Sequence, residues 1–270
     1  MDQCVQCSRL TGENIPKINC APGGLEFRGA ELRGDLDGVL AWHRDMMEQG
    51  MTGFSFARGG EVRGFAQYMP EESAPVPIIA PGAAVLMCFH WNISPGQGEE
   101  EHLGRERTML QRVIDDARGC REYTGMAAVG WDHPSHFPIP LLENLGFRSL
   151  HREGEMALMW LPFAGGCAEP RVAEQSFHPL DLSGAGRLAV QLAWSHRCPY
   201  DVHHRMRIRR IIEEMDPGRI RYDEILTDTR EQVLAHRAPS WNWQWLYVNG
   251  EELAAFRLTA EQLRGRLAGV

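Results

Sequence analysis

No run in this 270-residue chain approaches the ~20 consecutive apolar residues that a membrane span needs, and its first residues lack a secretory leader's basic-then-apolar pattern. A cytoplasmic protein without a membrane partner is therefore expected. Basic residues are not in excess: 28 Lys and Arg stand against 36 Asp and Glu, a net charge of -8. Nucleic acid would want a basic face, so that class of partner is argued against. A disulfide framework is also missing. Seven cysteines, at 4, 7, 20, 88, 120, 167 and 198, form an odd and scattered set, as free thiols do. Cys4-x-x-Cys7 has no second such pair, so it falls short of a four-ligand site and no metal is expected. Nothing repeats internally.

What is present is an ordinary globular composition, 43% apolar and 24% charged, in a chain long enough for one large or two modest domains. The chain is organised around residues 83–117. Ala84 to Trp91 is an apolar run, as a buried strand would be. From about Glu99 a helix is expected: Leu103, Leu110, Val113, Ile114 and Ala117 recur at helical spacing, with Arg105, Glu106, Arg112 and Asp116 largely off that face. A buried strand, a Gly-containing loop and a helix start build an anion site. The first turn aims unpaired N–H groups and the positive end of its dipole at the ligand.

Upstream, 35–49 reads as a helix, and 52–57 with 62–67 as a hairpin through Arg58-Gly59-Gly60. Tyr68 to Gly82 holds four prolines and reads as a loop. Downstream come a strand at Gly125 to Trp131, a His- and Pro-rich loop, a short helix at Leu141 to Leu145, and an antiparallel pair at 147–151 and 155–161. Ala164 to Ser176 is unpatterned and reads as a linker.

A second unit follows: strand 188–194, helix 201–215, strand 220–226, a helix opened by Asp228-x-x-Glu231, a hairpin through Asn249-Gly250 and a helix capped by Thr259-x-x-Gln262. This order is that of a thioredoxin or glutaredoxin fold. Cys198 falls just after the first strand at a helix start, where the helix dipole favours a thiolate. The alternation Trp241-x-Trp243-x-Trp245 suits a strand with all three indoles on one face.

Short words run in order along nearly the whole chain: Leu10-Thr11-x-Glu13-Asn14-Ile15, Tyr68-x-Pro70-x-Glu72, Cys88-x-x-Trp91, Ile114-Asp115-Asp116-Ala117, Leu145-Gly146-Phe147, Ser195-x-x-Cys198-Pro199-Tyr200 and Val248-Asn249-Gly250. On these words the chain resembles the YoaP-like proteins, a GNAT acyltransferase fold followed by a thioredoxin-like domain. The resemblance implies an α/β (α+β) protein. A GNAT-like mixed sheet flanked by helices would occupy 1–163, a linker 164–178, and the thioredoxin-like domain 179–270.

It further implies acetyl-CoA as cofactor, held at Trp91, Asn92, Ile93, Gly104, Arg105 and Arg107, and a small-molecule acceptor near Tyr68, Cys88, His133 and His136. A homodimer is left open. Where the family usually carries Arg or Gln, then Gly, then Gly or Ala, this chain has Glu101, Gly104 and Glu106, and the family's tyrosine acid is replaced by Leu142. Two carboxylates beside a diphosphate would repel it by about 1 kcal/mol each at surface dielectric.

Acyl transfer to an amine needs a base. The candidates are Glu72, in the proline-rich loop, and His90, on the central strand; the competing readings are a solvated charge and a satisfied core histidine. Two functions follow. In the first, an N-acetyltransferase brings amine and thioester together in a ternary complex, with backbone N–H groups around Trp91 and Asn92 on a bulged strand polarising the carbonyl. In the second, the scaffold is repurposed for cysteine chemistry at Cys198, in thiol redox or soft-metal handling. There His196, Arg197, His203 and His204 would favour the thiolate.

Overall fold

The computed structural model describes residues 5–15, 33–91, 99–133, 137–215, 218–240, 244–254 and 258–268, with the backbone alone at 33–36 and 99–103. Its first part runs β1 (Gln6–Arg9), α1 (Arg33–Glu48), β2 (Thr52–Arg58), β3 (Glu61–Pro70), β4 (Ile78–Ile79), β5 (Ala84–Trp91), α2 (Glu99–Gly119), β6 (Gly125–Trp131), α3 (Ile139–Asn144), β7 (Arg148–Glu153), β8 (Met156–Pro162) and β9 (Arg171–Val172). The second part runs β10 (Leu188–Trp194), α4 (Pro199–Glu213), β11 (Ile220–Leu226), α5 (Arg230–Ala235), β12 (Leu246–Val248), β13 (Glu251–Leu253) and α6 (Ala260–Ala268).

Seven strands form one sheet in the order β1-β2-β3-β5-β6-β8-β7. Every neighbouring pair is antiparallel except β5 with β6. The β2–β3 hairpin turns through Gly59 and Gly60, both at positive φ, as a primed turn matched to strand twist requires. β3 then runs further than its proline content suggests. Tyr68 to Pro70, expected as loop, pair with Leu86, Val85 and Ala84. A proline is tolerated there because it sits at the strand's end, where one missing donor costs little. The expected linker also contributes: Ile78 and Ile79 pair with Val172 and Arg171.

Helix α2 covers the sheet with Glu106, Met109, Leu110, Val113, Ile114 and Ala117, all buried and all on one helical stripe. Burying each large apolar member contributes about 1.5–3 kcal/mol relative to leaving it in water. Glu106 belongs to this stripe. The expectation that it lies off the apolar face is corrected: position, not charge, sets its direction.

The described chain divides into two units. One contains 5–15, 43–74 and 78–172; the other contains 33–42, 75–77 and 173–268. The division is thus not a single cut, since the first part of α1 groups with the second unit. There Val39 joins a core of Leu188, Val190, Leu192, Val202, Ile208, Ile211, Leu246, Val248, Leu263 and Leu267. This core lies under a four-stranded sheet of order β11-β10-β12-β13, with β10 and β11 parallel and the rest antiparallel. Thr229, not Asp228, caps α5: its hydroxyl accepts from the Gln232 N–H at 3.3 Å, completing a capping box one residue later than expected. The box at Thr259 and Gln262 forms on α6 as expected. Among the described residues no helix is long and apolar enough to cross a membrane.

Candidate active site

The end of β5 and the start of α2 are held together by a glycine. Gly64 pairs with Trp91 across the sheet, and a Cβ there would stand 2.6 Å from Trp91 Cε3 and 2.7 Å from Met109 Sδ. The missing side chain lets the indole and Met109 close over β3 (Trp91 is buried). Arg105 then lays its guanidinium 5.2 Å from the centre of the Trp91 ring. Gly104, one residue before, is exposed and a Cβ there would meet nothing within 4 Å. Arg107 is exposed. Burial raises the Glu106 carboxyl to about 7, so near neutrality half of it carries no charge. Of the two carboxylates expected to repel a diphosphate, this one is turned into the protein. Trp91, expected at the cofactor, can offer it little but backbone. Asn92, Ile93 and His136 lie outside the described residues.

Along β5 the ladder is irregular. Gln67 pairs with Cys88 and Tyr68 with Leu86, which leaves Met87 as an extra residue: a bulge. The strand is thus bulged as expected, four residues before Trp91. On the other side, β5 pairs with β6 only at Ala84–Met126 and Val85–Ala127, after which the two parallel strands part. Phe137, at φ 46, closes back on this region, its ring in edge contact with Phe89 at 4.7 Å. His133 is exposed just past β6.

Alternation sets Cys88 and His90, both half-buried, on the face opposite Phe89 and Trp91. Gln67, beside Cys88, is buried, and among the described residues its Nε2 has no hydrogen-bond partner. Sequence reasoning passed over it, although its place in the β3 alternation is readable. Glu72 is exposed on the turn after β3, beyond the Pro70–Ala84 end of the ladder, whereas His90 pairs with Phe65 near the other end. Six residues of strand, roughly 20 Å, separate those ends. The two candidate bases are therefore not brought together. Tyr68 is buried, its hydroxyl donating to Asp116 Oδ2 at 2.7 Å, and burial with that bond pushes its pKa up.

In the second unit Cys198 is the N-cap residue of α4 and is half-buried. One turn on, Asp201 is buried and accepts from the Ser195 hydroxyl at 2.7 Å; burial raises its carboxyl to about 7. Its burial was not foreseen. Asp228 accepts from the His196 backbone N–H and lies 2.7 Å from His196 Nδ1. His204 does not supply the expected positive charge, because burial lowers it to about 3. Trp245 is buried and stacks on Phe177 at 4.4 Å; Trp241 and Trp243 lie outside the described residues. Among the described residues no cluster of three His, Cys, Asp or Glu could hold a metal, and no peptide is cis.

The sequence matches no protein-family model, and no curated protein matches it. Solved structures do match. The yncA protein of Salmonella typhimurium, solved with acetyl-CoA, is 20% identical with a TM-score of 0.44, over 62% of this chain and 98% of its own. A GNAT-family acetyltransferase from Brucella melitensis in complex with acetyl-CoA is 13% identical with a TM-score of 0.41, over 64% of this chain and 97% of its own. PaiA N-acetyltransferase from Thermoplasma acidophilum, in complex with coenzyme A, is 10% identical with a TM-score of 0.40, over 59% and 99%.

Proposed function

We propose that the first unit is a GNAT-type N-acetyltransferase that uses acetyl-CoA and acts on a small amine or amino-acid-like acceptor. One observation carries this reading: β5 takes up a bulge at Met87, parts from parallel β6 after Val85, and leads into the first turn of α2. Parted strands offer backbone groups along a slot, and a helix start offers N–H donors to an anion at its mouth.

The residues present fit the cofactor. Arg105 and Arg107 supply charge in the second and third turns of α2, Gly104 puts no side chain beside them, and Glu106 is withdrawn. When bound, acetyl-CoA supplies the activated acyl group. Arg105 and Arg107 would hold its phosphates, with Gly104 leaving the space beside them open. The β5 backbone beyond Val85 would orient a carbonyl between the parted strands. His90, half-exposed on β5, would accept a proton from the attacking amine on an imidazole nitrogen; Glu72, at the paired end of the strand, is the poorer base. Leu142 is fully buried, so it leaves no acid at the family's tyrosine position.

For the second unit we propose a thioredoxin-like domain. The order β11-β10-β12-β13, with α4 following β10, supports it. A reading in which Cys198 does the chemistry rests on its N-cap position above the buried Asp201.

Mass spectrometry of a panel of amines incubated with acetyl-CoA and the protein tests the first reading. An acetylated product whose rate falls in His90→Gln is expected. No product with any amine, or product lost only in Cys198→Ser, would overturn it.

A further inference from the structure

The carboxyl end of α2 carries a polar cleft of about 500 Å³, lined among others by Arg9, Tyr68, Arg112, Asp115, Asp116 and Cys120. It lies roughly 15 Å along the helix from Arg105, since ten residues at about 1.5 Å each separate Arg105 from Asp115. Its charges divide into a fixed pair and an open pair.

Asp116 belongs to the fixed pair. One carboxylate oxygen accepts from Arg9 at 2.7 Å and the other from the Tyr68 hydroxyl at 2.7 Å, while Arg9 also donates to Thr52 Oγ1 at 2.8 Å. Both Asp116 carboxylate oxygens are thus held. Arg112 is different. Its guanidinium lies 4.6 Å from the centre of the Phe54 ring, with Arg9 over the same ring at 5.0 Å. Among the described residues no carboxylate pairs with it. Stacking fixes the long side chain, so little freedom is left to lose when an anion arrives.

Asp115 stands three residues further on the same helical face and is 53% exposed. It accepts from Gln111 at 2.8 Å and has Arg118 at 4.0 Å, which leaves carboxylate lone pairs facing outward. Gly119, also lining the cleft, ends the helix, where the last carbonyls and the negative pole of the dipole favour a cation. A positive group and a negative group thus stand one helical turn apart on the cleft wall.

We propose that this cleft binds a free α-amino acid, with its carboxylate on Arg112 and its ammonium on Asp115 and the carbonyl end of α2. The site is separate from the acyl-CoA mouth and does not depend on acyl transfer. A simple anion would meet Asp115 and Asp116, and a simple amine would meet Arg112; only a zwitterion satisfies both.

The test is calorimetry on the full chain, without any acyl-CoA, using the common amino acids and, for those that bind, their methyl esters and N-acetyl derivatives. Free amino acids are expected to bind at least about tenfold more tightly than either derivative, since each derivative loses one charge. Arg112→Gln and Asp115→Asn should each weaken binding about tenfold or more. Asp115 is exposed, so its variant keeps the fold should loss of the Arg112 stack disturb Phe54. Absence of binding, equal binding of the esters or N-acetyl forms, or unchanged affinity in Asp115→Asn would overturn the proposal. An inactive acetyltransferase that still binds amino acids would leave it standing.

Discussion

The Arg105 guanidinium lies 5.2 Å from the centre of the Trp91 ring, and that contact joins the first turns of α2 to the last residue of β5. It orients a cation at the helix mouth and braces the mouth against the sheet. Replacing Arg105 with Ala should weaken acetyl-CoA binding about tenfold, equivalent to about 1.4 kcal/mol. The loss of stability should be smaller, about 0.5–1 kcal/mol for a partly exposed cation–π contact. Calorimetric titration and a urea midpoint on one variant separate the two effects. An equal fall in both would make Arg105 a packing residue.

Gly64 and Gly104 should respond oppositely to the same change. Gly64→Ala forces Trp91 and Met109 from their seats and should cost about 1–3 kcal/mol. Gly104→Ala meets nothing within 4 Å in a helix and should stabilise by about 0.5–1 kcal/mol. Denaturant midpoints of the two variants check both signs.

Glu106 makes stability depend on pH. Its carboxyl rises from 4.5 to about 7 on folding, so between those values the unfolded chain is ionised while the folded chain holds the proton. Stability therefore falls as pH rises through this window and levels off above it. Asp201, raised from 3.8 to about 7, acts with the same sign. Glu106→Gln should melt higher than the parent at pH 8 and similarly at pH 4, with the residual slope belonging to Asp201. Melting curves across that range decide it.

Much of the architecture was legible in the residues. β5, β6 and β10 fall where near-continuous apolar runs put them, because a strand buried on both faces needs nothing else to announce it. The hairpin at Gly59-Gly60 and the cap at Thr259 were legible from local turn and capping chemistry. What escaped depends on partners distant in sequence. Tyr68 to Pro70 become strand only because Ala84 to Leu86 lie alongside. Glu106 reads as a surface charge until the 3.6-residue period places it above Met109 and Leu110. His204 reads as a cation until burial removes its proton. The bulge at Met87 leaves no local mark, since any apolar residue serves as the extra one.

Cys198 offers a check on the second unit. With a helix N-terminus beside it and Asp201 buried one turn on, Cys198→Ser should leave the melting point nearly unchanged, while Asp201→Ala should lower it, at a cost of about 1–3 kcal/mol of stability, through the orphaned Ser195 hydroxyl and the cavity. Thermal unfolding of the two variants compares them directly.

Titration of the full chain with acetyl-CoA is the most direct measurement of the central claim. The expected result is saturable one-to-one binding with a dissociation constant of about 1 µM to 1 mM, weakened in Arg105→Ala and accompanied by a higher melting temperature. No heat and no thermal shift at saturating acetyl-CoA would contradict the account.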